Sequence, residues 1–327
     1  MSDSIATTFD FAQLGPDTIL DAIESRGYLV DSGLLALNSY ENRVYQFICD
    51  DKRRYVAKFY RPQRWSREQI QEEHDFAQEL HDHEIPVVAP LRTNNESLHS
   101  YQGFYFAIFP SVGGRQFEVD NLDQLEWMGR FIGRIHQVSK GQPFSFRPTF
   151  SIQEHLLDAN ATLHKTELIP SSLHTAFFTI LGQVTELAAS LYKPNSSIRL
   201  HGDCHPGNIL WRDGPTFVDL DDCRMGPAIQ DLWMMLSGDT YQQRIQMDTL
   251  VEAYEEFSQF DSSQLSLIEP LRAMRMVHYM AWLSRRWQDP AFPQAFPWFA
   301  DAKYWEQQIL ALKEQYSALQ EPSLTLF

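Results

Sequence analysis

The sequence predicts an α+β fold with two lobes, a β-rich N-terminal lobe over residues 1–110 and a mainly helical C-terminal lobe over residues 111–327. Three observations predict it. Strand-like patterns crowd into the first third, two glycines at positions 113 and 114 break them, and helical periodicity dominates the remainder. A chain of 327 residues with 43% hydrophobic side chains can bury a core of this size. The two lobes are expected to form one functional unit with a ligand cleft.

The N-terminal lobe is predicted as a helix, a β-hairpin, a second helix and two more strands. In chain order these segments are residues 16–26, 34–59, 66–84 and 97–112. The hairpin turns at the charged residues 50–54, and Ser66 is the expected cap of the second helix. Beyond the glycines, helices are predicted over residues 121–138, 172–192 and from about 229 onward.

A polar motif, RLHGDCHPGNILW, interrupts the helical part at residues 199–211. Four residues separate Asp203 from Asn208, and the following ILW, RDG and TFVDL predict a strand, a tight turn and a returning strand. That hairpin would bring Asp219 back toward Asn208. Their carboxylate and amide oxygens are hard ligands, which suit Mg²⁺.

This arrangement matches the catalytic loop of protein kinases, H-R-D-x-x-x-x-N followed by a metal-binding aspartate. By that template Asp203 accepts the proton of an attacking hydroxyl, while Asn208 and Asp219 hold Mg²⁺ against the phosphates of ATP. A zinc site in which Cys204 and His205 join Asp203 within the H-x-D-x-H pattern is the weaker alternative. Zinc would explain none of Asn208, Asp219 and Lys58.

A kinase also needs a strand lysine paired with a helical carboxylate, and the N-terminal lobe offers both. Lys58 lies in the predicted strand YVAKFY, and Glu72 and Glu73 lie in the next helix. Glu73 is favoured because Phe76 and Leu80 define the buried face beside it. No glycine-rich loop precedes Lys58; the glycine-free segment LNSYENRVYQF stands there, and its polar residues can form a phosphate-binding turn.

The segments LHGDCHPGNILW, FVDLDD and GPAIQDLW together resemble the aminoglycoside phosphotransferase and choline kinase-like group, which shares the protein-kinase fold. Within it, LNSYENRVYQF, VAKFYRPQRW and FPSVGGRQFE resemble bacterial stress response kinases. The likeness runs from about residue 14 to the C-terminus.

The resemblance implies a cytoplasmic, monomeric, ATP- and Mg²⁺-dependent serine/threonine protein kinase of the stress response, whose partner is a protein with a Ser or Thr acceptor. It implies Asp203 as proton acceptor, Asp219 as second catalytic aspartate and, with Asn208, metal ligand. The resemblance also places Ser39 in the loop that contacts the nucleotide. It places the hinge that binds adenine near residues 109–112. Asp231 resembles a buried aspartate that braces the catalytic loop.

Other interpretations remain open at this point. The acceptor could be a small molecule of the choline, homoserine or aminoglycoside type, since the ATP half of such a site is identical. A regulatory module without activity is a third hypothesis, which the joint presence of Lys58, Asp203, Asn208 and Asp219 disfavours. Asp221 and Asp222 are expected to be solvated surface carboxylates, and the arginines of the segment RAMRMVHYMAWLSRR to pack rather than line a substrate groove.

Bulk composition excludes several classes of function. A net charge of −16 argues against nonspecific nucleic-acid binding, which needs an excess of Lys and Arg. The N-terminus lacks the pattern of a signal peptide, and no apolar run is long enough to span a bilayer, so no membrane partner is expected. Three irregularly spaced cysteines predict reduced thiols in the cytoplasm.

Overall fold

The computed structural model of the chain describes residues 10–327, so the start of the N-terminus, where no signal peptide is predicted, lies outside the described residues. The helices of this part are α1 (Pro16–Glu24), α2 (Arg67–Asp82), α3 (Leu122–Ser139), α4 (Asp158–Leu163), α5 (His174–Leu191), α6 (Gln230–Trp233), α7 (Thr240–Tyr254), α8 (Ile268–Arg286), α9 (Ala291–Ala295) and α10 (Ala302–Ala318). The strands are β1 (Leu35–Ala36), β2 (Arg43–Ile48), β3 (Arg54–Phe59), β4 (His99–Tyr101), β5 (Phe104–Pro110), β6 (Arg115–Gln116), β7 (Ile198–Leu200), β8 (Ile209–Trp211), β9 (Pro215–Phe217) and β10 (Arg224–Gly226).

The predicted α+β class is confirmed, and the chain forms two compact units. The sheet unit contains the residues up to Glu118, a short piece at Phe144–Arg147, and His205–Cys223. The helical unit contains Val119–Pro143, Pro148–Cys204 and Arg224–Phe327. The chain passes from the helical unit into the sheet unit between Cys204 and His205, inside the polar motif.

The sheet unit is built on a five-stranded antiparallel sheet in the order β1-β2-β3-β5-β4. The predicted hairpin is confirmed: β2 and β3 pair from Arg43 opposite Phe59 to Ile48 opposite Arg54. Helix α1 buries Ile19 and Ile23 in a cluster with sheet residues that include Phe59. Burial of these apolar side chains holds the helix to the sheet.

Alternation along β3 decides where its lysine points. Ala57 and Phe59 belong to the core under α1, so Lys58 between them projects from the opposite face of the sheet. Helix α2 begins at a capping box, in which Ser66 accepts from the Gln69 N–H and Gln69 bonds back to the Ser66 N–H. The start predicted for this helix is therefore confirmed.

A second, three-stranded sheet in the same unit carries the end of the polar motif. Its order is β6-β8-β9, and β8 and β9 form the predicted hairpin, with Ile209 opposite Phe217 and Trp211 opposite Pro215. The turn between them uses positive φ at Asp213 (56°) and Gly214 (138°). This hairpin brings the residues just before β8 and just after β9 to the same end.

The helical unit confirms the predicted helices as α3 and α5 and adds a longer series from α6 to α10. Two glycines in α3 let α7 approach closely: a Cβ on Gly129 or Gly133 would lie 2.4 Å or 2.6 Å from the carbonyl oxygens of Leu250 and Tyr254. Strands β7 and β10 pair antiparallel beside these helices. No helix within residues 10–327 is long and apolar enough to cross a membrane.

Candidate active site

The sheet unit contains a cavity of about 370 Å³, a size suited to a small-molecule ligand. Its walls combine apolar side chains from both sheets with a group of polar residues. The apolar walls come from Leu37, Val44, Val56, Ala77, Val88, Phe109, Val112, Leu210, Val218 and Leu220. The polar walls come from Asn38, Ser39, Lys58, Glu73, His74, Asn208 and Asp219. Five of the six predicted site residues therefore meet here: Ser39, Lys58, Glu73, Asn208 and Asp219.

Lys58 is buried among three carboxylates. Its side chain is 8% exposed, and its Nζ lies 2.9 Å from an Asp219 oxygen, 3.3 Å from Asp221 and 3.6 Å from Glu73. Burial alone would lower the pKa of Lys58, but the three nearby carboxylates outweigh it and hold the pKa well above its usual value. The lysine is therefore a permanent cation in the wall of the cavity.

Glu72 and Glu73 have different partners, although they are adjacent on α2. Glu73 faces Lys58 and is also bound by Arg147, whose Nη2 donates to it over 2.6 Å. Glu72 instead accepts the backbone N–H groups of Ser145, Phe146 and Arg147, at 2.5–2.8 Å. Since both anchor the segment that carries Arg147, the two glutamates support the same ion-pair group from different sides.

Asp221 contradicts the expectation of a solvated surface carboxylate. Its side chain is only 4% exposed and pairs with Lys58 and Arg64, while its backbone oxygen accepts from Arg147. Burial raises the pKa of Asp221, but the surrounding Arg64, Lys58 and Arg147 cations more than reverse this, so the carboxyl stays ionised. Asp222 is about one-third exposed, at 34%, and binds Arg64 over 2.7 Å. The cations that bury Asp221 are distant in sequence, which is why its spacing gave no sign of them.

Asp219 and Asn208 form the polar end of the β8–β9 hairpin. The Val218 N–H donates to the Asn208 carbonyl over 3.0 Å, which ties the residue after β9 to the residue before β8. Asp219 then adopts a left-handed backbone conformation, with φ 60° and ψ 66°, and its side chain stays 50% exposed. A non-glycine residue rarely takes this conformation, and such strain is typical of functional positions.

Two arginines hold the glycine-free loop before β2, and one of them, Arg43, donates to the Tyr40 carbonyl over 3.0 Å. Arg61 is buried and donates to the carbonyl oxygens of Tyr40 and Glu41, at 3.1 and 2.8 Å, while its own N–H binds the Asn42 side chain over 3.0 Å. Ser39, in the same loop, donates to the Asn42 carbonyl and lines the cavity. Arg61 was not among the predicted site residues; its place two residues after the end of β3 was the one local signal available.

The sixth predicted residue, Asp203, belongs to the helical unit. The turn before it is braced as expected: the Asp231 carboxylate accepts the N–H groups of His201 and Gly202 at 2.8 and 2.9 Å, and His136 lies 3.1 Å from it. Gly202 adopts φ 86°, which glycine takes without strain. Asp203 itself pairs with Arg275 of α8, an arginine that the sequence analysis expected to pack against other side chains.

The fold and these residues define a phosphoryl-transfer enzyme. The α+β scaffold carries a buried strand lysine, a helical glutamate and an Asp-x-x-x-x-Asn loop that is followed by an aspartate. The model of the phosphotransferase enzyme family matches residues 34–268, and the chain belongs to that family. It is 55% identical over 321 residues to stress response kinase A of Escherichia coli O157:H7, covering 98% of each chain. It is also 56% identical over 322 residues to serine/threonine protein kinase RdoA of Salmonella typhimurium, covering 97% of each chain.

Solved structures agree on the fold. The chain aligns with amicoumacin kinase hAmiN, solved in complex with AMP-PNP, Ca²⁺ and Ami, at a TM-score of 0.72 over 95% of this chain and 96% of that one. Their sequences are 18% identical, so this likeness concerns the fold. The family match and the two relatives confirm the kinase class predicted from the motifs, and they confirm the resemblance on which that prediction partly rested.

Proposed function

We propose that this chain is a serine/threonine protein kinase of the stress response, which transfers the terminal phosphate of ATP to a protein hydroxyl. The names of its relatives support the acceptor class and the stress role. The single observation that carries the chemistry is the Lys58 ammonium, 2.9 Å from Asp219 and 3.6 Å from Glu73 in one cavity with Asn208.

In the proposed reaction the acceptor oxygen attacks the γ-phosphorus of ATP and forms a new O–P bond. The bond to the β-phosphate oxygen breaks, ADP leaves, and the hydroxyl proton passes to the Asp203 carboxylate. Lys58 offsets phosphate charge, and Glu73 keeps the lysine in place. Most of the rate enhancement comes from positioning and from fixed charges rather than from covalent catalysis.

The donor set of the cavity fits Mg²⁺. Asn208 and Asp219 supply two hard oxygen ligands, and Mg²⁺ characteristically takes one or two such protein groups together with phosphate oxygens and water. When bound, the metal would neutralise phosphate charge; Asp219 is proposed both as its ligand and as the second catalytic aspartate.

The apolar walls suit an adenine ring, and the proposed hinge contacts are the backbone of residues 109–112, three of which line the cavity. Ser39 is the proposed contact of the glycine-free loop with the phosphates. We further propose an ATP-binding lobe over residues 1–110 and a catalytic and substrate lobe over residues 111–327, in a monomeric cytoplasmic enzyme that binds neither nucleic acid nor membrane.

The experiment that tests the acceptor class is transfer from ATP labelled at its γ-phosphate, in the presence of Mg²⁺. The purified chain is incubated alone, with a generic Ser- and Thr-containing protein, and with a panel of hydroxyl-bearing amines. We expect label on Ser or Thr of protein, absent with Asp219→Ala and unchanged with the exposed control Glu306→Ala. Label confined to the small molecules would contradict the proposal and favour a small-molecule kinase.

A further inference from the structure

Arg275 is bound to the proposed proton acceptor. It lies in α8, and its Nη1 donates to Asp203 Oδ1 over 2.5 Å. The side chains of Arg275 and Asp203 are 44% and 28% exposed, so the pair is open to solvent. A guanidinium carries five N–H donors, and among the described residues Asp203 is the one hydrogen-bond partner of Arg275. Most of its donors therefore remain available beside Asp203.

A second arginine lies one turn away on the same helix. Arg272 and Arg275 are three residues apart and share a face of α8. Arg272 bonds Glu269 and lies over the ring of Trp233 at 5.1 Å. Trp233 in turn donates to Gln230, whose side-chain amide binds the Gly202 carbonyl next to Asp203. Both arginines thus belong to the immediate surroundings of the loop that carries Asp203, within the helical unit.

We propose that Arg275 is a specificity-determining residue of the acceptor site, which selects a hydroxyl that has an anionic group, carboxylate or phosphate, beside it. The inference rests on the proposed function, because it takes Asp203 to be the group that meets the acceptor hydroxyl. One N–H of Arg275 donates to Asp203, and its other N–H groups donate to the oxygens of the neighbouring anion.

The chemistry of the guanidinium favours this assignment. Its planar array of donors matches carboxylate and phosphate oxygens, and such charge-assisted bonds are about twice as strong as neutral ones. A cationic acceptor would find no acceptor atom on Arg275 and would meet like charge. The net charge of −16 does not oppose this selection, because exposed charges farther away than about 8 Å are largely screened at physiological ionic strength.

The test uses four serine peptides of equal length that differ only in the residues flanking the serine, which are glutamate, phosphoserine, alanine or lysine. The value of kcat/KM is measured for the wild-type chain, Arg275→Gln, Arg275→Lys and the exposed control Lys313→Ala. We expect the wild type and the control to prefer an anionic flank over lysine by about tenfold. Arg275→Gln should bring this ratio close to one, with ATP affinity unchanged, and Arg275→Lys should retain part of it.

The outcomes separate the inference from the function beneath it. Equal use of the anionic and lysine peptides by the wild type would overturn the role of Arg275 while leaving the kinase intact. Faster transfer by Arg275→Gln to every peptide would also overturn it, since the arginine would then restrain Asp203 instead of selecting substrate. A panel of hydroxyl-bearing amines is assayed beside the peptides, and label on an amine with none on any peptide would mean that the proposed function fails and the inference with it. Preference for either the glutamate or the phosphoserine peptide supports the inference and identifies the anion.

Discussion

Lys58, Glu73 and Asp221 are charged side chains whose burial depends on partners that are distant in sequence. Each is nearly inaccessible to water, and each lies against at least one buried group of opposite charge, with Arg64 and Arg147 completing the group. Burying a single charge is costly, whereas a group of complementary charges with hydrogen bonds compensates much of that cost. The group also fixes the lysine where the phosphates of ATP are proposed to bind.

Replacing Asp221 tests whether the buried charge group supports the fold. Asp221→Ala leaves Lys58 and Arg64 without their shared buried carboxylate, and we expect a loss of about 3–5 kcal/mol in the free energy of unfolding. Asp222→Ala is the matched control, because it also contacts Arg64 but is far more exposed; we expect a loss below about 1 kcal/mol. Urea denaturation of the nucleotide-free chain measures both. Equal effects of the two substitutions would show that Asp221 has no special role.

For individual residues, the position in the fold was easier to predict from the sequence than the set of contacting side chains. Sequence spacing was enough to predict that Asn208 and Asp219 lie close together, because a short hairpin leaves little freedom in where its two ends meet. Spacing did not predict the burial of Asp221, since nothing near that residue in the sequence indicates that Arg64 and Arg147 surround it. Arg147 lies in a segment without helical or strand periodicity. Its position depends on long-range contacts, which are the three backbone N–H groups bound by Glu72 and the bonds of its own guanidinium to Glu73 and the Asp221 carbonyl.

Among the structural elements, the loop between β1 and β2 differs from the protein-kinase template, which has a glycine-rich loop at this place. A glycine-rich loop can bring its backbone close to phosphates; this loop has no glycine and is held instead by hydrogen bonds from Arg61 to two of its carbonyls. These bonds hold the carbonyls of the residues that follow Ser39 in the loop. The sequence predicted a turn here, but the arginine that holds it follows a strand 20 residues later.

Substitution of Arg61 tests this role of the loop. Arg61→Ala removes the Arg61 donors to the Tyr40 and Glu41 carbonyls and leaves Arg43 as the remaining side-chain donor to Tyr40. We therefore expect faster amide hydrogen exchange over residues 38–43. ATP affinity should fall by about tenfold, the size expected for the loss of charge-assisted bonds. Arg67→Ala, on the exposed first turn of α2, is the control and should change neither quantity. Unchanged exchange in Arg61→Ala would mean that the loop is held by other contacts.

For the whole molecule, the α+β class, the hairpins and the long helices were predictable because strand alternation and helical periodicity are local properties of the sequence. Membership of the two compact units was harder to predict, since the chain enters the sheet unit again at Phe144–Arg147 and at His205–Cys223. Those returns depend on pairing with β6 and on Arg147, which are long-range contacts. The proposed ligands of the nucleotide and its metal belong to one unit, and the proposed proton acceptor belongs to the other.

This division leads to the most direct test of the proposed mechanism, which is to measure nucleotide binding and phosphate transfer side by side in Asp203→Ala. Because Asp203 is not among the residues that line the cavity proposed for the nucleotide, Mg·ATP affinity by calorimetry should stay within about twofold of the wild type. Transfer should fall by about 10²–10⁴-fold, the usual contribution of a general base. Lost nucleotide affinity in a folded variant, or transfer at the wild-type rate, would contradict Asp203 as the proton acceptor.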